Sequence, residues 1–363
     1  MNIAIPVEPL VALCAEVFEC VGSSPQEARR VAASLVGANL TGHDSHGVIR
    51  APRYVDWVRS GDIMPNQTVA RLVDTPVLAV IDGRFGFGQT VAPLAVEAGV
   101  EKAKAVGLAA ISLRNAGHIG RVGEWAELAA AEGLVSIHFV NVAGSVLVAP
   151  CGGIERRLST APFCVAIPRP GAEPVVLDFA TSLVAEGKVA VASRGGKPLP
   201  ADALVGPDGA LSGDPATLYG PLTPAGPRDP ALGRGAIRAF GEHKGSGLAL
   251  ICELLGGSLT GNGATGLGRR FANGMFSLYV DPARIDPAHV FDADVARYCA
   301  WFTEGRAMPG ETIVTPGEPE RACRVRRTAD GVPLPEEVWA TIAATARSVG
   351  LPDARIARTL VRG

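Results

Sequence analysis

Apolar positions in the first seventy residues recur at helical spacing. Ser24, Pro25 and Glu27 form a capping box with proline at the first helical position, which predicts a helix through residue 38. The same spacing predicts an earlier helix over 8–21 and part of a third over 54–59. The pattern ends near 61–65, so the chain is expected to begin with a small helical unit.

From residue 76 onward, β-rich runs alternate with helical patterns. This predicts an α/β organisation, in which the last helix packs back on the N-terminal helices. The segment 194–235 is rich in Gly and Pro and is expected to form long ordered loops. The predicted strands are 77–81, 109–113, 135–142, 163–167, 175–177 and 275–280, and the predicted helices are 91–106, 122–132, 182–192, 247–255 and 335–349.

Composition narrows the class of protein. Lys+Arg 34 against Asp+Glu 36 leaves no basic excess for a nucleic-acid backbone, so nucleic acid is not expected as a partner. The start has no basic segment, and no apolar run reaches about 18 residues, so a cytoplasmic protein with no membrane partner is expected. The 7 cysteines form no C-x-x-C pair, which favours reduced thiols and no metal site.

The most informative chemistry lies in Ser45, His46 and Arg50. Arginine offers a planar fork of donors that matches a carboxylate, and histidine titrates near neutral pH and can pass a proton to a carbonyl. A small 2-oxo or 2-hydroxy acid would need this pair, although a solvated His and Arg at helical spacing would give the same pattern. Pro52 would interrupt a regular helix from His46 to Tyr54, so these side chains are expected to converge through a turn.

Two glycine-containing loops are candidate cofactor sites. The loop 115–123 lies between a predicted strand and helix, where free N–H groups suit a phosphate or nicotinamide amide, with His118 at its mouth. A plain strand-to-helix turn is the alternative. In the loop 241–247, Lys244 stands between glycines. It is interpreted as a cofactor phosphate or ribose contact, as a Schiff-base lysine for pyridoxal phosphate, or as a surface lysine.

A third loop only imitates a nucleotide-binding motif. Residues 261–266 satisfy G-x-G-x-x-G, and Asp281 lies about 20 residues further on. The fingerprint must leave a strand and open a helix, whereas this segment follows a predicted helix and leads to a strand. It is therefore interpreted as a loop, and a nicotinamide cofactor would need a fold other than the Rossmann fold.

Several motifs in the chain resemble, in order, those of the malate/L-lactate dehydrogenase family that lacks a Rossmann fold. Within the family, residues 137–142 and 162–165 are most similar to hydroxycarboxylate dehydrogenases, which reduce phenylpyruvate-like 2-oxo acids. The motifs are D-S-H-G-V-I-R at 44–50 with Tyr54, G-H-I-G-R at 117–121 with W-A-E at 125–127, L-D-F-A-T-S at 177–182 with G-K at 187–188, H-K-G at 243–245 and P-G-E at 316–318.

This resemblance implies an α/β fold with a two-layer, non-Rossmann central domain over 76–319, and a mostly helical domain built from 1–75 and 320–363. It also implies a homodimer with active sites near the subunit interface. His46 would be the proton donor with Ser45 polarising it, and His118 is the competing acid. Arg50 would hold the substrate carboxylate, with Tyr54 and Thr160 as further substrate contacts. The residues implied to bind NAD or NADP are His46, His118, Ile119, Gly120, Arg121, Val122, Asp178, Phe179, Ala180, Thr181, Lys244, Asn273, Pro316, Gly317 and Glu318.

Two positions depart from the family pattern. Imine-reducing relatives have an aspartate where this chain has Lys188, which argues against imine chemistry and toward oxo-acid reduction. Many relatives have an asparagine where this chain has Ala161, so the polar contact of that amide near the substrate is not expected, and a different or larger substrate side chain would fit. The sequence hypothesis is thus an NAD(P)-dependent 2-hydroxyacid dehydrogenase, with a pyridoxal enzyme using Lys244 and a cyclic-imine reductase as alternatives.

Overall fold

The computed structural model describes residues 2–223 and 228–360, and residues 224–227 of the predicted loop segment and 361–363 of the predicted helical domain lie outside them. The α-helices are α1 Val7–Cys20, α2 Pro25–Leu40, α3 Ala51–Ser60, α4 Gly88–Val106, α5 Val122–Ala131, α6 Glu186–Ala192, α7 Ala216–Tyr219, α8 His243–Cys252, α9 Pro282–Ile285, α10 Phe291–Thr303, α11 Glu318–Asp330, α12 Glu336–Ser348 and α13 Asp353–Arg358. The strands are β1 Asn2–Ile5, β2 Ala70–Asp74, β3 Leu78–Asp82, β4 Leu108–Ala116, β5 Val135–Ala143, β6 Val148–Ala149, β7 Pro162–Ile167, β8 Val175–Ala180, β9 Leu204–Val205, β10 Leu211–Ser212, β11 Ala236–Arg238, β12 Ala272–Val280 and β13 Val332–Pro335.

A seven-stranded open sheet forms the centre, in the order β2-β3-β4-β12-β5-β7-β8. Only β3 and β4 run parallel in it, and α4 makes the crossover that a parallel pair requires. The other neighbours are antiparallel. A doubly wound nucleotide-binding sheet would be mainly parallel, so the prediction of a mixed α/β fold without a Rossmann arrangement is confirmed.

Both ends of the chain share one apolar core. β1 pairs antiparallel with β13, with Ile5 opposite Val332. Apolar residues of α1, α2, α3 and α12 pack together in the same core, so the last predicted helix does return to the N-terminal helices. A second core joins α4 and α5 to the large sheet. The domain limits at 75 and 320 stay a prediction.

The segment predicted as long loops contains more regular structure than expected. β9, β10 and α7 lie within it, and β9 joins β10, β11 and β6 in a second, four-stranded sheet. Strands of two or three residues are too short to give a period-two pattern, which explains why they were missed. β1, α10 and α11 were also missed. The predicted helix over 182–192 begins only at Glu186, because Ser182 is held in a bridge to Ala239.

The capping box at the start of α2 is only half formed. Ser24 Oγ accepts a hydrogen bond from the Glu27 N–H at 3.3 Å. The Glu27 carboxylate, however, accepts from Asn66 N at 2.7 Å and Thr90 Oγ1 at 3.0 Å instead of returning to Ser24. Glu27 is buried, so tertiary donors have replaced the local partner and tie α2 to α4.

The glycine-rich segment 261–266 is a loop, as predicted. α8 continues as a π-helical stretch over Glu253–Leu259, and the loop then leads into β12. In the described part of the chain, no helix is both long and apolar enough to cross a membrane.

Candidate active site

Ser45, His46 and Arg50 lie on two short 3₁₀ turns, Asp44–His46 and Val48–Arg50, directly before α3. Pro52 stands in the first turn of α3, where its missing N–H removes no helical hydrogen bond. The prediction that these side chains converge through a turn is therefore confirmed.

The turn is held from both halves of the chain. Asn39 Oδ1 accepts from Val48 N at 2.9 Å, while Asn39 Nδ2 donates to Asp44 Oδ1 at 2.7 Å. A Cβ on Gly47 would lie 2.2 Å from Asn39 Oδ1, so only glycine allows this approach. Arg327 of α11 donates to both Asp44 oxygens at 2.6 and 3.0 Å. Sequence reasoning missed Arg327, which follows Asp44 by 283 positions.

His46 and His118 face each other with nearly parallel rings, whose centroids are 5.5 Å apart at 12°. Ser45 Oγ lies 3.0 Å from Nδ1 of His46. Burial, then the neighbouring His118 and the Arg50 charge, hold the pKa of His46 well below its ordinary value. Burial, then Arg50, lowers the pKa of His118 to about 3. Both imidazoles are therefore neutral near pH 7 in the free protein.

A short hydrogen-bond chain fixes the orientation of His118. Tyr54 Oη lies 2.6 Å from His118 Nδ1, and Gln89 Nε2 donates to Tyr54 Oη at 3.0 Å. The phenol hydrogen has two acceptors, Nδ1 at 2.6 Å and the His118 carbonyl oxygen at 3.4 Å. The shorter contact favours Nδ1, which leaves the His118 proton on Nε2. Trp57 and Phe271 stack at 4.4 Å beside the His118 ring. Gln89, a buried amide opening α4, was another residue that the sequence analysis missed.

Arg50 is oriented by two contacts. Its Nε donates to the Ser45 carbonyl oxygen at 2.7 Å, and its Nη2 donates to Glu186 Oε2 at 3.3 Å. Tyr219 Oη in turn donates to Glu186 Oε1 at 2.5 Å. Glu186 and Tyr219 were not predicted as site residues, and the only local signal is the position of Glu186 beside Gly187 and Lys188.

Thr160 and Ala161 lie directly before β7. The Thr160 carbonyl accepts from Thr181 N and Oγ1, each at 3.1 Å, so buried Thr181 supports this segment. Ala161 has φ +36, in the left-handed region that suits asparagine or glycine better than alanine. The departure at Ala161 thus coincides with a strained backbone position.

The loop from His118 to Val122 is anchored from the sheet. Ile119 N donates to Asn273 Oδ1 at 3.0 Å, and Asn273 Nδ2 donates to the Asn141 carbonyl at 2.8 Å. Trp125 Nε1 donates to the Ile119 carbonyl at 3.0 Å. Asn273 is buried and acts on the loop backbone in this structure.

A carboxylate of the protein occupies the start of α5. Asp178 Oδ2 accepts from Gly123 N at 2.7 Å, and Arg121 is buried in an ion pair with Glu127 at 2.5 Å. Burial raises the pKa of Asp178, while His43, Arg121 and the Gly123 N–H oppose that rise. A phosphate at this helix start would meet the Asp178 carboxylate, so the phosphate interpretation of the loop is not favoured, whereas the amide interpretation is unaffected.

The remaining predicted cofactor residues lie in two places. One place is the turn that opens α11, formed by Pro316, Gly317 and Glu318. This turn is hydrogen-bonded to β8, since Val176 N donates to the Pro316 carbonyl at 3.0 Å. Phe179 and Ala180 lie at the end of the same strand. Lys244 lies exposed in the first turn of α8 and is in no ion pair with a described residue.

The chain matches the family model described as malate/L-lactate dehydrogenase over residues 5–343. It is 38% identical to hydroxycarboxylate dehydrogenase B of Escherichia coli (strain K12) over 344 residues, which is 93% of this chain and 92% of the relative. It is 31% identical to Delta(1)-pyrroline-2-carboxylate reductase of Ancylobacter novellus, over 92% of this chain and 94% of the relative. The solved structure of malate dehydrogenase from Pyrococcus horikoshii OT3 superposes with a TM-score of 0.82 at 30% identity, over 97% of each chain.

Proposed function

The chain belongs to the malate/L-lactate dehydrogenase family, and on that premise we propose that it is an NAD(P)-dependent 2-hydroxyacid dehydrogenase. The observation that carries the proposal is the convergence of two half-buried, neutral imidazoles with one arginine. His46 and His118 face each other at 5.5 Å, and the Arg50 charge acts on both. Such a site can hold a carboxylate and exchange a proton with the oxygen on the adjacent carbon.

The residues fit a nicotinamide group at the loop from His118 to Val122. Gly120 has φ +71, and a Cβ there would lie 3.1 Å from Gln89 Nε2. Gln89 Oε1 is buried and has no hydrogen-bond partner among the described residues, so an acceptor is available behind this loop for a carboxamide N–H. The bound nicotinamide would supply or take the hydride. Lys244, Phe179, Ala180 and the turn at Pro316, Gly317 and Glu318 are the proposed contacts for the rest of the dinucleotide.

In the proposed reduction, the chain's own residues orient the acid and move one proton. Arg50 holds the C1 carboxylate with its remaining donors, and Tyr54 and Thr160 border the substrate. With the substrate carboxylate bound, His118 or His46 takes up a proton from solvent and donates it from Nε2 to the C2 oxygen as negative charge develops there. Tyr54 at Nδ1 of His118, and Ser45 at Nδ1 of His46, keep Nε2 available for this transfer. Trp57 and Phe271 exclude water beside the His118 ring.

A cofactor and substrate screen tests the proposal. We expect oxidation of NADH or NADPH with at least one of phenylpyruvate, pyruvate, oxaloacetate and 2-oxoglutarate. Activity only with a cyclic imine would move the assignment toward the reductase named among the relatives. A protein that oxidises neither cofactor with any of these acids contradicts the proposal, and visible absorbance that disappears in Lys244→Ala would indicate pyridoxal phosphate instead.

We further propose a cytoplasmic homodimer. α10 has no buried residue, yet it exposes Tyr298, Trp301 and Phe302. Exposed apolar clusters of this kind mark protein contacts. All seven cysteines are free thiols, which suits a reducing compartment. Light scattering coupled to size exclusion should give twice the mass of 37.4 kDa, and a monomer at working concentration would contradict the dimer.

A further inference from the structure

Arg50, which is proposed to bind the substrate carboxylate, is already paired with the carboxylate of Glu186. Arg50 Nε is committed to the Ser45 carbonyl at 2.7 Å, and Nη2 donates to Glu186 Oε2 at 3.3 Å. Nη1 has no partner among the described residues. A substrate carboxylate on the Nη1 and Nη2 edge would therefore share the guanidinium with Glu186.

Glu186 is tethered in this position. Its Oε1 accepts from Tyr219 Oη at 2.5 Å, and Tyr219 is buried. The start of α6 also packs closely on residues 44–50, the catalytic turn, because a Cβ on Gly187 would lie 2.5 Å from Ser45 Cβ. Moving the carboxylate away from Arg50 would break the bond to Tyr219 or shift the helix. The anion therefore stays beside the substrate position.

The surroundings add little further positive charge. Burial keeps His46 and His118 uncharged near neutral pH by lowering the pKa of each. Arg121 also acts on His46, but it is paired with Glu127 and has Asp178 and Glu124 nearby. Arg50 and Glu186 together are close to neutral. Arg228 also acts on Tyr219, but it donates to Ser193 and to the Thr223 carbonyl. One substrate carboxylate can still bind the open edge of Arg50, whereas a second one would have to compete for cations that already have partners among the described residues.

We propose that Glu186 is a specificity-determining residue that makes the enzyme favour 2-oxo and 2-hydroxy acids with a single carboxylate over dicarboxylates. The inference rests on the proposed function, in which Arg50 binds the C1 carboxylate. It predicts that pyruvate-like and phenylpyruvate-like acids are preferred to oxaloacetate. In a partly buried site, the Glu186 carboxylate repels a nearby substrate carboxylate strongly. A dicarboxylate is repelled more than a monocarboxylate, so removing the Glu186 charge should improve dicarboxylate binding more.

Binding and turnover are measured in wild-type protein and in Glu186→Gln. Calorimetric titration uses malate and 2-hydroxybutyrate, with and without reduced cofactor, which neither hydroxy acid can consume. We expect the variant to bind malate at least about tenfold more tightly relative to 2-hydroxybutyrate than wild type does. In turnover, the ratio of kcat/KM for oxaloacetate to that for pyruvate should rise by a similar factor.

Two further variants complete the test. Glu8→Gln removes the same charge from an exposed ion pair with Arg29 and should leave both ratios unchanged. Tyr219→Phe releases the tether without removing the charge and should shift both ratios in the direction of Glu186→Gln, by a smaller factor. If Glu186→Gln does not fold, the proposal is tested with Tyr219→Phe alone.

The outcomes separate the two claims. Equal changes for both acids, no change, a wild-type preference for dicarboxylates, or no binding of either acid to any of the proteins would overturn the role of Glu186. A selective gain in malate binding without NADH or NADPH oxidation by any protein would support Glu186 and overturn the proposed dehydrogenase.

Discussion

The phenol oxygen of Tyr54 lies 2.6 Å from Nδ1 of His118. Burial raises the pKa of Tyr54 above its ordinary value, so the phenol remains protonated through the neutral range. With Gln89 Nε2 donating to the same oxygen, the Tyr54 hydrogen has two acceptors, and the contact to Nδ1 at 2.6 Å is favoured over the one to the His118 carbonyl oxygen at 3.4 Å. The relationship makes His118 an oriented imidazole with its proton on Nε2, which is the arrangement that a proton-transferring histidine needs.

Replacing Tyr54 with phenylalanine should therefore lower kcat by about tenfold or more, with a smaller change in KM for the 2-oxo acid. The ring contacts with Trp57 and Phe87 are retained, but the donor to Nδ1 is lost and the imidazole can take either tautomer. Steady-state kinetics at saturating cofactor give the two constants. Tyr279→Phe, which removes the same hydroxyl group from a buried tyrosine of β12 outside the site, is the control, and an equal loss in both variants would refute the orienting role.

The pH dependence of reduction should identify the proton donor. Burial lowers the pKa of both His46 and His118 below this pH range, so only a small fraction of either imidazole is protonated between pH 8 and 6. That fraction grows as pH falls, and kcat/KM for reduction should therefore rise from pH 8 to 6. Oxidation of the hydroxy acid, which needs the neutral base, should stay flat over the same pH range, because both pKa values lie below it. His46→Asn and His118→Asn then separate the candidates, since the variant of the donor loses the slope. If both keep the wild-type slope, neither histidine is the acid.

Arg50→Lys should raise KM and lower kcat together. Lysine cannot reproduce both the contact to the Ser45 carbonyl and the carboxylate edge, so about 2 kcal/mol of transition-state stabilisation should be lost. The measurement is kcat and KM for the preferred 2-oxo acid. Arg59→Lys, at an exposed arginine that donates to Ser348, serves as the matched change. Unchanged kinetics in Arg50→Lys would remove Arg50 from the substrate site.

Local sequence patterns predicted the parts of the site that are local in the chain. Pro52 indicated that His46, Arg50 and Tyr54 do not share one helix, and the turn before α3 has that form. The loop at 261–266 was excluded as a nucleotide fingerprint from its neighbours alone. Both conclusions depend on backbone rules that act within a few residues.

The contacts that the sequence did not reveal are long-range. Glu186 follows Arg50 by 136 positions, and Asp178 reaches Gly123 across 55. A carboxylate in a sequence does not indicate whether it will meet a substrate, a helix start or an arginine. Those partners are set by the packing of α6 on the catalytic turn and of β8 beside α5, which no periodicity encodes.

The buried His138 should make the protein less stable in acid. It is fully buried between Ser277 Oγ at 2.8 Å and Ser136 Oγ at 3.0 Å, and burial lowers its pKa to about 3. Below about pH 6.5, His138 is protonated in the unfolded chain but stays neutral in the folded protein. The free energy of unfolding therefore falls as pH drops from there toward the folded pKa of His138. The contribution of this one group is about 1.4 kcal/mol per pH unit.

His138→Gln keeps hydrogen-bonding atoms near the two serines but cannot titrate. Urea unfolding is followed between pH 7.5 and 4.5. As pH falls, the free energy of unfolding should decline less steeply in the variant, by the slope that the uptake of one proton produces, about 1.4 kcal/mol per pH unit. The loss of ring packing against Tyr279 lowers the variant's stability at pH 7.5, so the slopes are compared rather than the absolute values. Parallel curves for the two proteins would mean that His138 is protonated equally in the folded and unfolded states, contrary to its burial.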